Sequence, residues 1–79
     1  MGSQLHNDLL LLQISAVLKK IRHSRGLTQE DVYNDTGIHI SRMEAGHVNF
    51  TITTLQRLCE YFEVSLVDFF KNVQKHGRT

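Results

Sequence analysis

Apolar residues recur along this chain at the spacing of a helix face. Ile14, Val17, Leu18 and Ile21 fall at i, i+3, i+4 and i+7, and Leu55, Leu58, Cys59 and Phe62 repeat the pattern. Leu66, Phe69, Phe70 and Val73 repeat it again. Between the first stripe and the second, Leu27 to Val32 and Ile40 to Gly46 read as two short helices joined by a tight turn. The pattern predicts an all-α fold of five helices.

Polar residues mark where these helices begin and end. Thr28 with Asp31, and Ser65 with Asp68, have the spacing of a capping box, and Thr51 suits the cap of the fourth helix. Gly26, Gly46 and Gly77 each stand just past a periodic segment. From His47 to Thr53 the chain alternates, with Val48, Phe50 and Ile52 on one side, which is a strand signature. A lone strand would have no partner, so the stretch is read as an extended loop entering the fourth helix.

The first helix carries more apolar surface than one face needs. If it reaches back far enough, Leu5, Leu9, Leu12 and Ala16 lie opposite the Ile14 stripe. A helix apolar on both sides is covered on both sides. Two readings stand: an arm folded over its own core, or a subunit interface in a homodimer formed through Leu5, Leu9 and Leu12.

Size favours the second reading. Seventy-nine residues make one domain, 1–79, and a chain this short buries only about 60% of its unfolded surface, so a partner subunit adds useful stability. The single Cys59 excludes an internal disulfide and suits a reducing, cytoplasmic setting; on the apolar stripe it reads as a buried structural thiol. Tyr33 and Tyr61 are read as half-buried packing residues. No apolar run approaches the roughly 20 residues of a membrane span.

The net charge of +1 says little about partners, so the distribution matters more. Lys19, Lys20, Arg22 and Arg25 cluster before the paired short helices, and His39, Arg42 and His47 lie within or just after them. Acidic residues are scattered, which allows a modest positive face. The five histidines have no metal-ligand spacing. A glycine-rich phosphate loop and a nucleophile elbow are also missing. No enzyme, metal or cofactor is expected.

The run L-T-Q-E-D at 27–31, the turn glycine at 37, I-S-R-M-E-A-G at 40–46 and N-F-T-I-T-T-L-Q-R-L-C-E-Y-F-E-V-S-L-V-D-F-F at 49–70 together resemble the phage repressor/Cro (XRE-type) helix-turn-helix family. The resemblance runs from about Ile14 to Phe70, with the motif itself at about 28–46. It implies a lambda-repressor-like five-helix domain, here with an extended first helix. The implied activity is transcriptional regulation by a homodimer bound to double-stranded DNA at a short, roughly palindromic operator. Controller proteins of restriction systems and small phage repressors work in this way. An antitoxin-like, protein-binding use of the same fold is the alternative.

Residue by residue, the resemblance places Gln29 at the first turn of the second helix, where its amide bonds a phosphate or reaches a base edge. Arg42 falls on the outward side of the third, recognition helix, where a guanidinium pairs with guanine O6 and N7 or holds a phosphate. Ser41 lies beside it. Ile40 and Met43 belong to the core, and Arg22 with Glu44 implies a structural ion pair between the first and third helices. His47, Asn49 and Thr51 occupy a loop that touches the DNA backbone in relatives, and Asn49 is preferred over Thr51, which also suits a cap.

One departure matters. Between Gln29 and Ile40 the chain is shorter than the family's usual motif by nearly a turn of helix. Either Gly37 remains the turn glycine and the recognition helix loses its start, or Thr36 caps a recognition helix that follows a shorter second helix. Thr36 is favoured, because that keeps Ile40 and Met43 inward, and at the start of the recognition helix it also counts among the candidate DNA contacts. With the usual base-reading positions lost, His39 joins Arg42 as the main polar candidate, and Ile38 is read chiefly as core.

Overall fold

The computed structural model describes residues 8–46 and 48–77, which form α1 (Asp8–Ser24), α2 (Gln29–Thr36), α3 (Ile40–Glu44), α4 (Ile52–Tyr61) and α5 (Leu66–Gly77). Among the described residues there is no strand, and 48–51 is the extended connection expected. Leu5 and His47 lie outside the described residues.

Side-chain caps start the helices where the sequence places them. The Thr28 hydroxyl accepts from the Asp31 N–H at 3.0 Å, and the Asp31 carboxylate accepts from the Thr28 N–H at 2.9 Å, a complete capping box. The bond from the Thr28 backbone holds the Asp31 carboxyl below its ordinary range. Thr51 and Ser65 hydroxyls accept from the Thr54 and Asp68 amides at 3.1 and 3.0 Å.

Helices α1 and α4 end by the same device. Leu27 N–H donates to the Arg22 carbonyl at 3.2 Å and Gly26 N–H to His23 at 3.0 Å; Val64 and Glu63 repeat this onto Cys59 and Glu60 at 2.9 and 3.1 Å. Each is a Schellman closure, which needs one residue of positive φ. Glu63 takes that place in α4 with φ 61°, a conformation that costs a non-glycine residue about 1 kcal/mol. Arg25 offsets part of the cost by donating through Nε and Nη2 to the Phe62 carbonyl at 3.0 and 2.7 Å.

The core lies where the three apolar stripes meet. Leu18, Val32, Ile40, Leu55, Leu58, Phe62 and Phe69 are no more than 2% exposed, and each such side chain contributes about 1.5–3 kcal/mol on burial. Helix α1 is the spine: it packs on α5 along one side and on α3 along another. The close approach to α3 needs Gly46, whose φ is +79° and where a Cβ would sit 2.8 Å from Leu12 Cδ2. Cys59 is buried, and burial pushes its thiol up. Leu9 and Leu12 stay 65% and 50% exposed, so the second apolar face of α1 is uncovered within the described chain. No helix among the described residues is long and apolar enough to cross a membrane.

Candidate nucleic-acid interface

A buried ion pair sets the position of the two short helices. Arg22 on α1 meets Glu44 on α3 through Nε–Oε2 at 2.7 Å and Nη2–Oε1 at 3.0 Å, and Nη1 donates to the Leu27 carbonyl at 2.8 Å. The side chains are 8% and 4% exposed. The bidentate bond to Glu44 holds the guanidinium still more firmly protonated, against the opposing effect of burial. Gln29 Nε2 then donates to Glu44 Oε1 at 2.9 Å, so the exposed amide is oriented by a carboxylate that is itself fixed by Arg22.

The turn between α2 and α3 corrects one expectation. Thr36 does not cap α3; it is the last residue of α2. Its hydroxyl donates to the Val32 carbonyl at 2.7 Å and accepts from the Ile38 N–H at 3.0 Å. Gly37 takes the left-handed C-cap conformation, φ 76°. With glycine able to end α2 at its full length, the shortening falls entirely on α3, which keeps only Ile40–Glu44. His39 stands at its N-cap without a side-chain cap bond. Ile38 is half-buried and packs on the core, as Ile40 and Met43 do more fully.

From α4, two side chains brace the end of α2. The Tyr61 hydroxyl donates to the Asp35 carboxylate, and Arg57 Nη2 donates to the Thr36 carbonyl at 3.4 Å. The bond to Asp35 pushes the Tyr61 hydroxyl up to about 12. Because the folded value lies above the ordinary value of about 10, the stabilisation is whole below pH 10 and fades as pH rises towards 12. Urea unfolding of wild type and Tyr61→Phe is expected to show a gap that is constant from neutrality to about pH 9 and narrows above about pH 10. A gap independent of pH would mean that this bond is not formed in solution.

The expected contact residues divide clearly. Ser41, Arg42, His39 and Asn49 are exposed, and the side chains of Arg42 and Asn49 make no hydrogen bond or ion pair among the described residues. The Thr51 hydroxyl is engaged as the α4 cap, which leaves Asn49 as the freer donor of that loop. The basic cluster before the motif is split: Arg22 is in the ion pair and Arg25 on the Phe62 carbonyl, while Lys19 and Lys20 remain exposed. Arg57 carries no signal in the sequence that would mark it for the turn. Tyr33 is not the packing residue expected: it is 44% exposed and lies against the His39 ring.

A short helix carrying an exposed arginine, locked to a second helix whose first turn presents a fixed amide, is a helix-turn-helix domain of the kind that meets DNA. Residues 18–69 match the helix-turn-helix family model, and the chain belongs to that family, in its XRE-type branch. Crystal structures of the restriction-modification controller protein C.Esp1396I are similar over most of the chain. One, a point mutant, is 38% identical, covers 86% of this chain and 95% of its own, and superposes with a TM-score of 0.80. Another is the C.Esp1396I tetramer in complex with its natural 35 base-pair operator, at 38% identity, 85% and 92% coverage and a TM-score of 0.76. The wild-type protein gives 38% identity, 85% and 90% coverage, and 0.77. No curated protein matches the chain.

Proposed function

We propose that this DNA-binding transcriptional regulator acts as a homodimer on a roughly palindromic operator, with α3 entering the major groove. The observation that carries the reading is Arg42, a guanidinium without a partner among the described residues, on the exposed side of α3 beside Ser41 and His39. Arg42 reads guanine, while Gln29 and Asn49 hold phosphates and set the register. Half-sites then lie about 34–36 Å apart, one turn of duplex. The exposed Leu9 and Leu12 of α1 supply apolar surface for the dimer contact. Similarity to a controller protein that assembles on its operator as a tetramer supports this reading. The protein works without catalysis, in the cytoplasm, and its own concentration sets occupancy.

Selection of bound duplexes from a random library, by wild type and by Arg42→Ala, tests the proposal. Wild type is expected to enrich a two-fold symmetric site with a guanine in each half. Arg42→Ala is expected to lose about 1–3 kcal/mol per half-site and the preference at that guanine. Equal weakening on every sequence would make Arg42 a phosphate clamp, and no enrichment by wild type would remove the operator reading.

A further inference from the structure

The turn between α2 and α3 ends in an aromatic pair that neither the core nor the phosphate contacts employ. Tyr33 and His39 lie with ring centroids 4.5 Å apart and planes inclined by 30°. Neither belongs to the core, where Val32 represents α2 and Ile40 and Met43 represent α3. Tyr33 follows Gln29 by four residues, so both occupy one face of α2. Gln29 reaches across to α3 at Glu44, and Tyr33 reaches across at His39. The two contacts bridge the α2–α3 seam near the two ends of α3. Arg42 follows His39 by three residues, so it neighbours the aromatic pair. The rings therefore stand at the leading end of the recognition helix, where the shortened turn has removed polar side chains.

We infer that Tyr33, held by His39, reads a thymine in each half-site. The exposed phenol offers an apolar ring edge beside a hydroxyl that has no hydrogen-bond partner among the described residues. Thymine presents a C5-methyl group next to the O4 acceptor in the major groove, and cytosine presents no methyl and a donor in place of that acceptor. Ring against methyl and O–H donating to O4 match thymine at both points. His39 is a positioning residue: stacked on one face of the phenol, it fixes the ring angle. This rests on the proposal that α3 enters the major groove.

The alternative is that the two rings only brace the short turn, and one experiment separates the two. In the duplex selected by wild type, each thymine is replaced in turn by uracil, which deletes the methyl alone. Wild type is expected to lose about fourfold in affinity at one thymine per half-site, the partition of a single methyl group. Tyr33→Ala is expected to bind thymine and uracil duplexes there equally. Tyr33→Phe should keep the methyl preference but discriminate less against cytosine, having lost the donor. The inference is overturned if Tyr33→Ala keeps the full methyl preference, or if it weakens all duplexes alike while lowering the melting temperature. A wild-type chain that selects no duplex fails before any variant is made; that result overturns the DNA reading and this inference with it.

Discussion

Replacing Glu44 with alanine is expected to cost about 3–5 kcal/mol of folding stability, the range for leaving one member of a buried ion pair without its partner. Arg22 would then be a guanidinium in a site where the side chains are 8% and 4% exposed, keeping only the Leu27 carbonyl and the His23 ring as partners. A domain of this size has roughly 0.05–0.15 kcal/mol per residue in total, so the loss is a large share of what it has. Urea denaturation of the variant would show a midpoint far below that of wild type. The paired replacement Arg22→Met with Glu44→Leu should recover much of the stability, since well-packed apolar groups replace buried charges at little cost. It should not recover DNA binding fully, because Gln29 Nε2 would have lost the carboxylate that aims it. If Glu44→Ala unfolds within about 1 kcal/mol of wild type, the pair is solvated and the penalty for an uncompensated buried charge does not apply.

The second large effect is on binding. In the proposed complex, phosphates neutralised by exposed cations such as Lys19, Lys20 and Arg42 of both subunits set the salt dependence, to which the neutral Gln29, Asn49 and Ser41 add little. Six to ten such contacts weaken affinity by about 10³–10⁵ between 50 and 200 mM salt. Fluorescence anisotropy over that range should give a straight line of steep negative slope in log–log form. Lys19→Ala and Lys20→Ala would flatten the line if these lysines touch the backbone, while Arg25→Ala should flatten it less, because two of its N–H donors are held on the Phe62 carbonyl. An apolar protein partner, the antitoxin-like alternative, would give a nearly flat line.

How much of the molecule is legible in the residue order varies with the reach of the forces involved. The three long helices, the caps at Thr28, Thr51 and Ser65, and the stops at Gly26 and Gly46 follow from local rules and the chain obeys them, whereas Gly77, expected just past the last helix, is still part of α5. The Glu44 pairing with Arg22 spans 22 residues and is legible only through the family's pattern. The turn departs from expectation at Thr36 because two endings are locally equivalent. Gly37 takes the left-handed conformation that ends α2 after Thr36, and Arg57 and Tyr61 of α4 bond the Thr36 carbonyl and Asp35, contacts that no neighbouring residue announces. The pairing of Tyr33 with His39 is hidden for the same reason, since the two meet only once the turn has its shape. Charge misleads as well, since a sum over Lys19, Lys20, Arg22 and Arg25 does not reveal that Arg22 is buried in an ion pair and that Arg25, though exposed, is tied to the Phe62 carbonyl.

The brevity of α3 limits how much the protein can know about a genome. Five residues at 1.5 Å each extend about 7.5 Å, little more than two base-pair steps of about 3.4 Å. A probe that narrow distinguishes few words, however well each letter is read. Selectivity among millions of competing positions must then come from repetition, the same short word met at fixed intervals by successive copies of the chain.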